Sequence, residues 1–178
     1  MTLHRGHQAI LDEVVRRARS AGEPAAVVTF EPHPLRVLAP ERAPRLLLTD
    51  DQKIALFERA GLELAVFVPF DRPMAAMPAE VFARDVVGGR LRASQVLVGS
   101  NFRFGRGRAG DVPLLSRVGA DCGFTAEALP AVLDGGQPIS ASRIRRALAD
   151  GDATEAARLL GRPFALAGTI VHGEGRGG

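Results

Sequence analysis

Between Gln8 and Ala21 the apolar residues Ile10, Leu11, Val14, Val15 and Ala18 recur every three or four positions, and Gly22 follows them. That spacing is the period of an α-helix with one buried stripe, and glycine is the common residue just past a helix end. Ala25 to Phe30 is a short unbroken apolar run, which predicts a strand in a sheet buried on both faces. Asp50 or Asp51 then opens a helix reaching Ala60, with Gly61 behind it, and Leu64 to Val68 is a second strand. A helix over Pro78 to Val87 carries proline in its first turn, where a backbone N–H has no partner to lose. Gln95 to Val98 reads as a third strand, Asp111 to Ala120 as a helix and Phe124 to Leu129 as a fourth strand. Ser140 caps a helix to Asp150, another runs from Ala153 to Leu160, and Ala165 to Val171 reads as one more strand.

Strands spaced by helices imply right-handed crossovers and a mostly parallel sheet, hence an α/β fold. Ligands on such sheets gather beyond the carboxyl ends of the strands. Two unusual loops fall on that edge, Glu31 to Pro34 and the glycine-rich stretch from Gly99 to Gly110. No internal repeat or low-complexity linker interrupts the pattern, and 178 residues suit one main domain with a small appendage.

Composition narrows the function classes. No stretch approaches the roughly eighteen uninterrupted apolar residues of a membrane span. The opening residues Met1 to His7 lack the basic-then-apolar order of a signal peptide, so a cytoplasmic location is expected. The single cysteine, Cys122, makes no internal disulfide and no zinc cluster; it reads as a small apolar filler at a helix end. Net charge is +3 and Lys53 is the only lysine, so the base is nearly all arginine. Arginine forks onto oxyanions, which suits phosphate ligands. These arginines are scattered among acids with no interleaved aromatics, which argues against nucleic acid.

Four segments carry candidate chemistry. His4-Arg5-Gly6-His7 puts two imidazoles on one face at a helix start, where free N–H groups favour phosphate and Gly6 admits close approach. The same pair also fits a surface decoration or a stray metal binder. Ile139 to Arg146 places Ser140 as N-cap and Ser142, Arg143 and Arg145 in the first helical turns, a grip for polyphosphate or simply a capped helix with a solvated basic face. In Val98 to Asp111, Asn101 offers amide contacts, while Phe102 and Phe104 either flank a flat ring or anchor the loop in the core. Thr29-Phe30-Glu31-Pro32-His33-Pro34 is a rigid connector that also brings His33 or Glu31 toward a site.

Taken in order, His-x-Gly-His, Thr-Phe-Glu-Pro-His-Pro, Val-Gly-x-Asn-Phe-x-Phe-Gly and Ile-Ser-x-Ser-Arg-Ile-Arg resemble the prokaryotic bifunctional riboflavin kinase/FMN adenylyltransferase (FAD synthetase) family, over nearly the whole chain. The resemblance implies a Rossmann-like nucleotidyltransferase fold. It implies transfer of AMP from ATP to FMN, giving FAD and pyrophosphate with Mg²⁺ accompanying ATP. His4, His7 and Arg145 would then be the catalytic residues, the histidines holding ATP phosphates and stabilising the leaving pyrophosphate. Gly6, Ser140, Ser142 and Arg143 would bind ATP phosphates, and Pro32, His33, Asn101 and Phe104 would shape the flavin side. No protein metal ligand is assigned, since magnesium keeps waters and binds largely through phosphates.

The sequence departs from the family pattern in three places. The family usually reads Gly-x-Phe-Asp-Gly-Val-His-x-Gly-His, whereas Met1-Thr2-Leu3 precedes His4 here, so the sheet is expected to lack its first strand. Ala141 stands where the family usually has Ser. Residues 161–178 resemble the opening of a riboflavin kinase domain, so residues 1–160 are read as the adenylyltransferase domain of a chain truncated at both ends. The kinase domain is expected in cis in a full-length protein, with no kinase activity from this chain. Two alternatives stand beside this reading: an adenylyltransferase for another phosphorylated acceptor, such as pantetheine phosphate or nicotinamide mononucleotide, and an inactive fragment that binds nucleotide or flavin.

Overall fold

The computed structural model describes residues 2–169. Helix α1 spans Arg5–Ala21 and ends at Gly22, whose φ of 68° places it in the left-handed region that closes a helix. Strand β1 (Ala26–Glu31) pairs in parallel with β2 (Leu64–Pro69), in register from Ala26 opposite Leu64 to Glu31 opposite Pro69. Between them lie a short helix α2 (Pro34–Leu38), a single 3₁₀ turn over Pro40–Arg42 and helix α3 (Asp50–Arg59). Thr49 and Gln52 form a reciprocal capping box at the start of α3, so that helix begins where the acidic first turn predicts.

The second half repeats the alternation. Helix α4 (Arg72–Ala76) is followed by α5 (Ala79–Val81), which runs on as a π-helical stretch over Phe82–Arg90. Strand β3 (Gln95–Gly99) pairs in parallel with β4 (Thr125–Leu129), and α6 (Val112–Cys122) crosses between them with Asp111 as its cap. A two-residue hairpin, β5 (Leu133–Asp134) and β6 (Gln137–Pro138), leads into α7 (Ala141–Ala149) and α8 (Ala153–Leu160). Parallel pairing is as expected, but the described strands make two separate two-stranded parallel sheets rather than one.

Three apolar clusters hold these elements. Leu3, Leu11, Val27 and Phe57 join α1, β1 and α3. Phe82, Ala83, Val86, Val87, Leu115, Val118 and Phe124 join the π-helical stretch to α6 and β4. Leu47, Ile139, Ile144, Leu159 and Leu160 join α7 and α8. Strand β1 is covered more thoroughly on one face than on the other: Val27 and Thr29 are buried while Val28 remains 37% exposed. The apolar run had predicted cover on both faces. β1 has only β2 for a ladder partner among the described residues.

Residues 165–169 are also not a strand. They have no ladder partner among the described residues, and Leu166 stands 88% exposed; the rest of the expected strand lies outside the described residues. Among the described residues no helix is long and apolar enough to cross a membrane.

Candidate active site

Two helix N-termini border one cavity of about 500 Å³. From the start of α1 come Thr2 and His7, and from α7 come Ala141, Ser142 and Arg145. The end of β1 supplies Phe30 and Glu31, the chain after it His33 and Leu35, the irregular segment before α3 supplies Arg42, Pro44 and Leu46 to Leu48, and α3 supplies Lys53. Three lining side chains, Arg42, Lys53 and Arg145, are basic and one, Glu31, is acidic, which suits a polyanion.

At α7 the Ser140 hydroxyl accepts from the Arg143 amide at 3.2 Å, and this cap fixes where the helix begins. The His4 side chain caps nothing at α1; the His7 amide donates to the His4 carbonyl at 2.8 Å, and the Arg5 and Gly6 amides have no acceptor among the described residues. Helix α1 starts at Arg5 rather than Gln8, so the whole His4-to-His7 segment forms its first turn. The two imidazoles lie against each other with centroids 3.9 Å apart. Gly6 fits under them: a Cβ there would come within 3.1 Å of the His4 ring.

His4 Nδ1, His7 Nδ1 and Thr2 Oγ1 are buried with no hydrogen-bond partner among the described residues. Leaving such a group unsatisfied costs about 1–3 kcal/mol, which an oxyanion in the cavity would offset. Burial pushes the His7 ring down to about 3, with the neighbouring His4 adding to the effect. Burial likewise pushes His4 down to about 4, against its own backbone hydrogen bond and with the Arg162 charge contributing. Both rings are therefore neutral at pH 7, each with one N–H to donate. Because the unfolded chain binds these protons more tightly, the stability they contribute is complete above about pH 6.5 and is lost as pH falls toward 4 and then 3. Urea unfolding between pH 7 and 4 is expected to show that decline, and a His4→Ala/His7→Ala double variant to show a flatter one.

His33 lines the cavity and also serves its own backbone. Its Nδ1 accepts from the Leu35 amide at 3.2 Å and caps α2, a helix where the sequence predicted only a proline-rich loop. Burial first, then nearby positive charge, lowers its basicity. Arg145 donates from Nε to the Arg45 carbonyl at 2.9 Å, which steadies it on the cavity wall. Pro32 sits between two lining residues without lining the cavity itself.

His4, Gly6 and Ser140 likewise sit next to lining elements without lining the cavity, and three more of the expected site residues lie elsewhere. Arg143 turns away from the cavity and binds Glu155 at 2.7 Å and Asp134 at 3.4 Å, so its charge is already met by carboxylates. Phe104 is 6% exposed and stacks on Phe102 at 5.4 Å inside the core. Asn101 is exposed at the turn after β3 and does not line the cavity.

Sequence reasoning missed Lys53 and Asp134. Lys53 is 4% exposed, with Nζ 2.5 Å from Asp50 and 3.5 Å from Glu31. A lone lysine among arginines was the available signal. Asp134, on the β5–β6 hairpin, takes Arg5, Arg143 and Arg158 on one carboxylate whose side chain is 7% exposed. It thereby joins the His-x-Gly-His segment to the Ser140–Arg145 segment, and no local pattern announces it. A second depression, of about 470 Å³, runs along α1 between Asp12, Arg16 and Ala60 and gathers no comparable set of unpartnered groups.

The FAD synthetase family profile matches residues 2–143. The bifunctional riboflavin kinase/FMN adenylyltransferase of Escherichia coli strain K12 is 38% identical over 172 residues, covering 97% of this chain and 55% of that protein. The protein of the same name from Pseudomonas fluorescens is 39% identical over 173 residues, again 97% of this chain and 55% of the relative. The chain thus spans about half the length of the curated relatives it matches. A crystal structure described as a macrolide-efflux protein from Streptococcus pneumoniae superposes with a TM-score of 0.81 at 28% identity, over 98% of this chain and 58% of that one. The α/β architecture is Rossmann-like.

Proposed function

This chain belongs to the FAD synthetase family, and from that premise we propose that it carries an FMN adenylyltransferase site. AMP passes from ATP to FMN: an FMN phosphate oxygen attacks the α-phosphorus of ATP, a new P–O–P bond forms, and the bond to pyrophosphate breaks. The acceptor brings its own nucleophile, so the protein's work is alignment and charge stabilisation. The observation that carries this reading is the convergence of the α1 and α7 N-termini, His7, Ser142 and Arg145 on one cavity that also holds unpartnered buried donors.

In this reading the neutral His4 and His7 rings and the first amides of α1 donate to phosphate oxygens, most strongly where charge accumulates on the departing pyrophosphate. Ser142 and Arg145 grip the triphosphate from α7, and Arg42 adds positive field, while Lys53 is already paired with Asp50 and Glu31. The side formed by Phe30, His33 and Leu46 to Leu48 is apolar enough to receive a flat ring. Among the described residues no group of three or more His, Cys, Asp or Glu side chains forms a metal site. Magnesium held mainly by phosphates and water needs no such group, and no step here passes through it. The relatives' names pair this activity with a riboflavin kinase, whose product is FMN; a kinase domain beginning near residue 161 would supply the acceptor in a longer chain.

Incubating the chain with FMN, ATP and Mg²⁺ is expected to yield FAD and pyrophosphate in equal amounts. ATP binding without FAD formation would favour the inactive-fragment reading. Turnover with pantetheine phosphate or nicotinamide mononucleotide instead of FMN would favour the other-acceptor reading.

A further inference from the structure

Leu3 has a φ of 47° and is 2% exposed. A branched residue in the left-handed region is strained and persists only where its neighbours hold it. Two side chains do so. Arg162 Nη1 donates to the Leu3 carbonyl at 2.7 Å and to the Leu160 carbonyl at 3.3 Å, and Nη2 donates to the Thr2 carbonyl at 3.4 Å. Gln8 Nε2 donates to the same two carbonyls, Leu3 at 3.1 Å and Leu160 at 2.9 Å. The carbonyl just before His4 and the last carbonyl of α8 therefore share both donors. Gly161, with φ 71°, permits the approach: a Cβ there would come within 3.1 Å of Arg5 Cγ and Gln8 Oε1.

We propose that Arg162 is a positioning residue of the phosphate site, its guanidinium fixing the left-handed turn at Leu3 that sets His4 against His7 and so aims His7 and the start of α1 at the cavity. Arg162 does not line the cavity and acts through backbone carbonyls. Only a planar fork reaches Thr2 and Leu3 together, so lysine is a poor substitute. The inference rests on the adenylyltransferase reading of that cavity, and the strap comes from residues that the sequence had assigned to the next domain.

The test compares Arg162→Gln and Arg162→Lys with the parent 178-residue chain. The readouts are the His4 and His7 ring resonances without ligand, the calorimetric affinity for ATP, the KM values for ATP and FMN, and the melting temperature. Arg162→Gln is expected to shift both rings' resonances and to weaken ATP about tenfold, the loss of a charged donor, with KM for FMN within about twofold of the parent. Arg162→Lys is expected to fall between the two. A lower melting temperature with unchanged ring resonances and unchanged ATP affinity would make Arg162 merely structural and overturn the proposal. Should Arg162→Gln not fold, Arg162→Lys is judged by the same readouts. If the parent neither binds ATP nor forms FAD, the adenylyltransferase reading falls, and the ring resonances alone decide the positioning role, shifted in its favour or unshifted against it.

Discussion

Replacing His7 with Ala is expected to lower the rate of FAD formation about 10²–10³-fold, the usual loss when one preorganised donor is removed from developing oxyanion charge. The melting temperature is expected to stay near the parent's or to rise. The two expectations have one source. The His7 ring is buried and its Nδ1 has no partner among the described residues, so the fold gains little from the ring and bears the cost of its burial. A group kept under those terms matters when a ligand arrives. If the ring acts on the leaving pyrophosphate, kcat falls more than KM for ATP rises, because the interaction strengthens in the transition state. Steady-state kinetics and a thermal melt on the same preparation check both halves. Unchanged turnover would remove His7 from the site.

Phe104→Ala is expected to do the reverse, destabilising the fold by about 3–5 kcal/mol while leaving KM for FMN unchanged for the folded fraction. The ring is packed among Phe82 at 5.9 Å and Phe102 at 5.4 Å. Its backbone also exchanges two hydrogen bonds with Gly110, at 3.1 and 2.9 Å, closing the glycine-rich loop on itself. The next residue pins that loop to α5: Gly105 has a φ of 73°, and a Cβ there would lie 2.5 Å from Ala79 Cα. Urea unfolding combined with FMN kinetics decides the matter. Intact stability with a raised KM for FMN would return Phe104 to the flavin side.

Phe104 also shows where sequence reasoning stopped. An aromatic residue in a glycine-rich loop reads the same whether it lines a pocket or plugs a core, and only the packing of α5 and α6 against it settles the difference. The periodic helices were legible because local pattern and tertiary burial agree: α3 has its capping box, and α7 has Ser140 where a cap was expected. The bound of α1 was placed at Gln8, three residues late, because its apolar stripe begins only at Ile10, although the His4-to-His7 segment was read as a helix start. The β5–β6 hairpin was missed although Gly135 and Gly136, both at positive φ, follow Asp134 in a common turn sequence. Arg143 looked like a phosphate ligand because its carboxylate partners, Asp134 and Glu155, lie nine and twelve residues away on other elements.

The strap from Arg162 to Leu3 spans 159 residues of sequence, and this sets the order of events while the protein is being made. Helix α1 and strand β1 leave the ribosome well before Arg162 does. The turn before His4 has to wait for its guanidinium, which at synthesis rates of roughly 5–20 residues per second follows about 10–30 s later. If Arg162 has the positioning role proposed for it, the nascent chain until then carries His4 and His7 without their final geometry, and nucleotide binding arrives near the end of the domain's synthesis rather than growing with it.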